Sequence, residues 1–540
     1  MSNANEVKQP LKYERLDAII AEVTSKCEPQ LADKYYAVAF PEEYEGIDKN
    51  LFDTPHGYWD TTEPLPNYHS DRFHRKIADT IATGTDIDII TLGLPNGNLD
   101  AAIRWGVHNA LGRPGGGPIS VRILCGSAYT WTLNTDNYVK SFYNQVLGWD
   151  PDVRRLARLK LYVASQEYGE GQSWNHGKAI IIDQKEIMFG GHNMWGDAYM
   201  GTNPIFDLSI ALKGDLAPVA TRFANELWAF VRKYNRHGTK TYCTSFAISN
   251  EGRPYTNSNV PELFTIHRKL PVDKGIKALY HVQPGLGLVD HKGPLNPIFV
   301  GMNYAFRTAK KEINLVQQDI GSSKVAAFSE TGRPYNIRGG FSCIILREPG
   351  NTVGYHVFYF DVLKAIAEAL KSAERPKLNI VVTNPGGSSY SNGLSYRSIF
   401  RALGFMLIKV FGVSTVETVA ILRDKVCIRE LAFQGSNQWR DGKNIGLHTK
   451  YWEVDGQVVS VGSFNLYPGV MYFSGSFGQS YLTEFSVLLA GKKIVDNLKN
   501  EYFDKVWKSS KKCEFNYEFL VGLPDYAPAV QDEEVPAISQ

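Results

Sequence analysis

The sequence predicts an α/β fold built from two copies of one layered plan. Three observations predict it. At 540 residues and 43% hydrophobic composition, the chain is too long for one ordinary core. Apolar runs of strand length alternate with segments of helical spacing, as an α/β layer architecture requires. The order of those segments in the first half then returns in the second, which marks an internal duplication.

In the first half the strands are "IDIITLGL" (87–94), "ISVRILCG" (119–126), "RLKLYVAS" (158–165), "KAIIID" (178–183), "EIMFGG" (186–191) and "FDLSIALKG" (206–214). The helices are "NLDAAIRWGVHNAL" (98–111) and "PVATRFANELWAFVRKY" (218–234), rich in good helix formers. In the second half the strands are "EINLVQQDI" (312–320), "KLNIVVTNP" (377–385), "KVCIRELAF" (425–433), "KYWEVD" (450–455), "QVVSVGSF" (457–464) and "TEFSVLLAG" (483–491). Its helices are "FYFDVLKAIAEALKSA" (358–373) and a closing one near 493–508. The Asn-, Pro- and Gly-rich stretch near 250–275 reads as the linker, which divides the chain into repeats 1–265 and 266–540.

The bulk composition excludes some functions. The net charge is +2, so no global field draws nucleic acid, and any anion site must be local. No run of 18 or more apolar residues appears. The N-terminus lacks the apolar centre of a signal peptide, and "SNA" after Met1 reads as a tag remnant. The expected location is therefore secreted or periplasmic if a leader was removed, and cytoplasmic otherwise. Six scattered cysteines form no CxxC pair, and Cys125 and Cys343 read as buried strand residues.

Two hairpins carry the chemistry. The first reads His176-x-Lys178-x4-Asp183-x6-Gly190-Gly191-x-Asn193, the second His448-x-Lys450-x4-Asp455-x6-Gly462-Ser463-x-Asn465. Every spacing is the same, and a chance match of five residue types at one start is below roughly one in a million. Side chains two apart on a strand share a face, so each His and Lys project together, with the Asn of the next strand turned towards them. Two such clusters facing each other suit a phosphate group. Lys and Asn hold the non-bridging oxygens; one His attacks phosphorus while the other protonates the leaving oxygen and then deprotonates the incoming nucleophile. Two ammonium groups neutralise the phosphate, so no metal or other cofactor is expected. A lone His on an apolar strand is usually a core residue; the repeat reverses that reading. His192, His108 and His281 have no such counterpart and receive no role.

The paired HxKxxxxD pattern resembles the signature of the phospholipase D superfamily. "WNHGK", "GGHNMWGDAY", "TNPIFDLSIAL", "LHTKYWEVD", "GSFNLYP", "GSAYTWTLN" and "NPGGSSYSNGLSY" are similar to segments of its secreted bacterial, actinomycete-type phospholipases D. The likeness spans roughly residues 80–510, leaving the first 70 and last 30 uncovered. It implies a single-chain pair of α/β/α sandwiches with the active site at their interface. It implies His176 as nucleophile and His448 as general acid and base, with the reverse assignment open because the site is nearly symmetric. Lys178, Lys450, Asn193 and Asn465 would hold the phosphoryl group. Asp207 and Glu484 would fix the histidine tautomers, Glu484 departing from the Asp of those relatives. Asp183 and Asp455, pointing elsewhere, would be structural ion-pair partners. Trp195, Tyr199 and Tyr396 match positions that line a head-group cage, although in a chain with 12% aromatics each has a plain core reading too. The run from Gly386 to Gly393 reads as a mobile loop over the site. Val470, Met471, Tyr472, Phe473 and Phe477 form an apolar loop that either dips into lipid or folds onto the second half.

The function implied is hydrolysis of the phospholipid head-group ester at a membrane or micelle surface by a monomer, with transfer to alcohols. Another phosphodiester substrate, nucleic acid included, and a non-catalytic lipid-binding module are the alternatives.

Overall fold

The computed structural model describes residues 12–42, 44–65, 72–127, 133–169, 173–268, 270, 272–289, 296–325, 334–337, 341–347, 354–383, 395–468 and 482–526. The loop expected around Gly386–Gly393 and the apolar loop at 470–477 lie outside them.

The duplication is visible strand by strand. In the first half β1 (Asp86–Leu92), β2 (Ile119–Gly126) and β3 (Leu159–Tyr168) run parallel. On the other side of β1, β4 (Ala179–Ile182), β5 (Glu186–Gly190) and β6 (Asp207–Lys213) follow in antiparallel order. In the second half β7 (Glu312–Gln317), β8 (Lys377–Val382) and β9 (Val426–Leu431) are parallel, and β10 (Lys450–Val454), β11 (Val458–Gly462) and β12 (Glu484–Ala490) are antiparallel. The central sheet orders β3-β2-β1-β4-β5-β6 and β9-β8-β7-β10-β11-β12 are the same.

Burial explains these sequences. Strand β1, "DIDIITL", is buried on both faces, its one internal carboxylate, Asp88, being paired with Arg122 at 2.6 Å. Ile87 and Ile89 join Val121, Ile123, Val107 and Phe142 in a core beneath the helices Gly97–Gly112 and Thr135–Trp149. Ile90, Leu124, Ile181 and Phe189 face the helix Leu216–Tyr234 in a second core, which continues into the other half through Phe485 and Val487. Each half is thus a sheet between helical layers, and the two share an apolar wall. Cys125 and Cys343 are buried free thiols on strands, as expected.

Of the features not foreseen, two bear on the architecture. The first is a four-stranded sheet between β7 and the helix Phe360–Lys371. The second concerns the ends of the main sheets. Strand Tyr36–Ala39 pairs with Lys277–Gln283 at the edge of the second sheet. Helix Glu14–Lys26 docks there too, through Arg15 on Ala305 O and an Arg307–Glu22 ion pair at 2.6 Å. Strand Leu51–Thr54 instead closes the first sheet beside β6. Residues 12–39 therefore lie with the second half before the chain crosses into the first, outside a simple division at 265/266.

Candidate active site

Each motif begins just before a hairpin, β4–β5 or β10–β11, and each hairpin start is bonded to the opposite half. His176 N–H donates to Thr483 O, and His448 N–H donates to Phe206 O, both at 2.8 Å. Thr483 and Phe206 are the residues immediately before Glu484 and Asp207. The two carboxylates are consequently exchanged between the repeats. His176 Nδ1 pairs with Glu484 Oε1 at 2.6 Å, and His448 Nδ1 with Asp207 Oδ2 at 2.7 Å. A carboxylate on Nδ1 fixes the ring and leaves Nε2 for chemistry.

The lysines and asparagines complete the cluster. Lys178 and Lys450 are buried, and each ammonium donates to the carbonyl of its own motif histidine. Asn193 and Asn465 are buried with both side-chain amide atoms lacking a hydrogen-bond partner. Buried amides left unpaired are costly and mark a place where a polar ligand belongs.

Burial governs the electrostatics. It holds both imidazoles well below their ordinary range, and the neighbouring lysines add to this. Burial brings Lys178 down to about 8 and Lys450 well below its usual value, while the carboxylates pull the other way. Glu484 is pushed up to about 8 by burial, against the pull of Lys178. An arriving phosphate anion opposes the effect of burial on the lysines by bringing a countercharge.

The two dyads differ in one detail. In the first half Asp207 Oδ1 takes the Leu208 N–H directly at 2.8 Å. A Cβ on Gly191 would lie 2.0 Å from that oxygen, so glycine is required there. At the matching place of the second half stands Ser463. Its hydroxyl accepts from Phe485 N–H at 3.1 Å and donates to Glu484 Oε2 at 2.5 Å. The longer carboxylate and the added hydroxyl replace one direct bond by a two-step relay.

Asp183 and Asp455 sit away from the cluster, both with positive φ at the hairpin turns. Asp183 Oδ1 accepts from Thr85 and Asp86 N–H at 2.8 Å. Asp455 accepts from Lys310, Lys311 and Glu312 N–H and pairs with Arg15. Each caps the start of the central strand, β1 or β7; backbone amides are the main partners, and the expected ion pair is close only for Asp455.

The three aromatic positions separate. Trp195 is partly buried against Leu92, Trp174 and Leu482, a small apolar group flanking the His176 motif. Trp174, two residues before His176, was given no role in the sequence. Tyr199 packs beside the His448 dyad. It is fully buried, accepts from Asn193 N–H at 3.2 Å, and its hydroxyl lies 3.3 Å from His448 Nδ1. Tyr396 opens the helix Tyr396–Phe405, and its ring meets Phe519 edge-on at 6.2 Å. His192 is a satisfied core residue between Thr54 and Ser209 hydroxyls, with burial pulling it to about 4.

No family model matches the chain. Among curated proteins, a phospholipase D from Streptomyces antibioticus is 25% identical over 484 residues, covering 82% of this chain and 77% of the relative. Among solved structures, a phosphatidylserine synthase from Haemophilus influenzae superposes with a TM-score of 0.51 at 12% identity, covering 94% of both chains. The phospholipase D family member Nuc from Salmonella typhimurium aligns over 44% of this chain and 99% of its own, with a TM-score of 0.22 and 13% identity. In its paired motif, its fold and its likeness to a relative along most of its length, the chain is similar to the phospholipase D superfamily.

Proposed function

We propose that the protein is a phospholipase D, cleaving the head-group ester of phospholipids through a phosphohistidine. Nε2 of His176 attacks phosphorus and the bond to the head-group oxygen breaks, with His448 giving that oxygen its proton. His448 then takes a proton from water, the oxygen attacks phosphorus, and the P–N bond to His176 breaks. The products are phosphatidate and the free alcohol. In the attacking form Glu484 is ionised and accepts Nδ1–H, leaving the Nε2 lone pair exposed. Lys178, Lys450 and the two asparagines carry the charge on the non-bridging oxygens.

The observation that carries this reading is the facing pair of carboxylate-braced histidines around two buried, unpartnered amides. The curated relative's name supports the lipid substrate. Because the intermediate is covalent, an alcohol can release it in place of water, which predicts transfer as well as hydrolysis.

His176→Ala and His448→Ala are each expected to lower phosphatidate formation by about a thousandfold or more. Turnover should survive EDTA and yield phosphatidylethanol when ethanol is added. Mass spectrometry of the lipid products, with single-stranded DNA as a parallel substrate, checks all of this; near-native turnover by either variant would sink the two-histidine scheme.

A further inference from the structure

Among the described tryptophans only Trp105 and Trp149 are exposed, at 47% and 38%. They touch each other. Trp105 lies on the helix Gly97–Gly112 and Trp149 closes the helix Thr135–Trp149. Arg104 Nη1 ties the two helices side by side, donating to Ser141 Oγ at 3.2 Å. The Trp105 ring stacks on His108, one turn along its helix, at 5.2 Å and 26°. Trp149 stands edge-on to both, 5.3 Å from Trp105 and 5.6 Å from His108. Three nearly equal distances put Trp149 beside the stack, so neither ring covers the far face of Trp105. The surroundings are open as well: a Cβ on Gly112 or on Gly148 would meet nothing within 4 Å.

A contiguous group of exposed aromatic rings marks a contact surface, and its rim sets what it contacts. The helix Gly97–Gly112 carries two charges, Asp100 and Arg104, and the helix Thr135–Trp149 carries two, Asp136 and Lys140. Each pair is joined within itself, at 2.8 and 2.6 Å. Beyond Trp149, Asp150 pairs with Arg155. The rest of the rim is neutral and polar. Asn109 lies four residues after Trp105 and Gln145 four before Trp149, so each shares the face of its tryptophan. Both are exposed, and among the described residues neither side-chain amide is hydrogen-bonded.

We infer that Trp105, His108, Trp149, Asn109 and Gln145 form a platform for a neutral glycan. One face of a pyranose ring presents C–H groups of weak positive charge, which pack on the electron-rich face of an indole. The sugar hydroxyls bond to side-chain amides. A charged partner finds no unpaired opposite charge on these two helices. The platform lies apart from the catalytic cluster. Leu92, which ends β1, flanks the His176 motif, and β2 ends level with it at Gly126. The helix Thr135–Trp149 starts beyond that end and runs back, which places Trp149 about 20 Å from the helix start. A glycan held there anchors the protein and leaves the catalytic cluster uncovered.

Calorimetric titration of the full chain with cellohexaose, mannohexaose, maltohexaose and chitohexaose tests the platform. At least one is expected to bind the wild-type protein with a Kd below about a millimolar, a measurement that needs no variant. Trp105→Ala and Trp149→Ala should each weaken that binding by about tenfold or more, and Asn109→Ala by a smaller factor. Circular dichroism and phosphatidate formation from detergent-dispersed phosphatidylcholine should stay unchanged in all three. Failure of the wild-type protein to bind any of the four sugars would overturn the platform, as would binding that survives loss of both tryptophans. Two further measurements identify a different occupant. The glycan is the wrong ligand if the tryptophan substitutions leave sugar binding intact but release the protein from phosphatidylcholine vesicles, or turn a dimer into a monomer in sedimentation.

Discussion

At the scale of single residues, the paired dyads are a lesson in compensation. Glu484 carries one methylene more than Asp207, and Ser463 stands where the first half has Gly191. The two changes match each other: a shorter carboxylate would give up the serine hydroxyl, which would be left with Phe485 O at 3.1 Å. Glu484→Asp is expected to lower kcat by about tenfold, and adding Ser463→Gly should restore part of it by recreating the Gly191–Asp207 arrangement. A double-mutant cycle on kcat reads this directly; strictly additive losses would show that the serine is incidental. The residues themselves were legible in sequence because two identical spacings made each His, Lys and Asn stand out. The direction of the Tyr199 ring was not legible, because an aromatic next to a motif gives no sign of which way its ring turns. Here the ring goes inward, where its hydroxyl braces Asn193.

At the scale of elements, the motif aspartates tie each hairpin to the first residues of a central strand. Asp455 serves three backbone N–H groups and Arg15, whereas Asp183 has the Thr85 hydroxyl at 2.8 Å and a distant Lys185 at 4.0 Å beside its amides. Removing Asp455 takes the carboxylate from a half-buried guanidinium, which keeps Ala305 O and Thr308 O, as well as the acceptor from the amides. Asp455→Ala should therefore cost about 3 kcal/mol of stability, and Asp183→Ala about half that. Urea unfolding of the two variants compares them, and an equal cost would remove the role given to Arg15. The strands were readable because their apolar runs match strand length. The sheet inserted between β7 and the helix Phe360–Lys371 was not: only "GFSCIIL" carries a clear apolar run, and its neighbours are mixed. The exchange of Asp207 and Glu484 was also hidden, because residue spacing fixes a strand's faces but not which half its end meets.

At the scale of the whole molecule, the repeats are one unit. The apolar core runs from Leu16 to Leu520 through both sheets, and residues 12–39 belong to the half that is completed last in sequence. That placement could not be read from the N-terminal segment, whose one short strand gives no hint of its partner. The segment between the repeats is pinned too: Asn225 bonds both N–H and C=O of Phe264, and Arg268 grips Asp215 at 2.7 Å. The exchanged carboxylates have a further consequence. Two separate chains carrying one motif each would have to find one another before either histidine gained its partner, and dilution would part them. Joined covalently, each half meets the other at a local concentration set by the tether, not by the solution. Specific activity should accordingly stay flat from micromolar to sub-nanomolar protein; a fall on dilution would mean that the chain needs a second copy of itself.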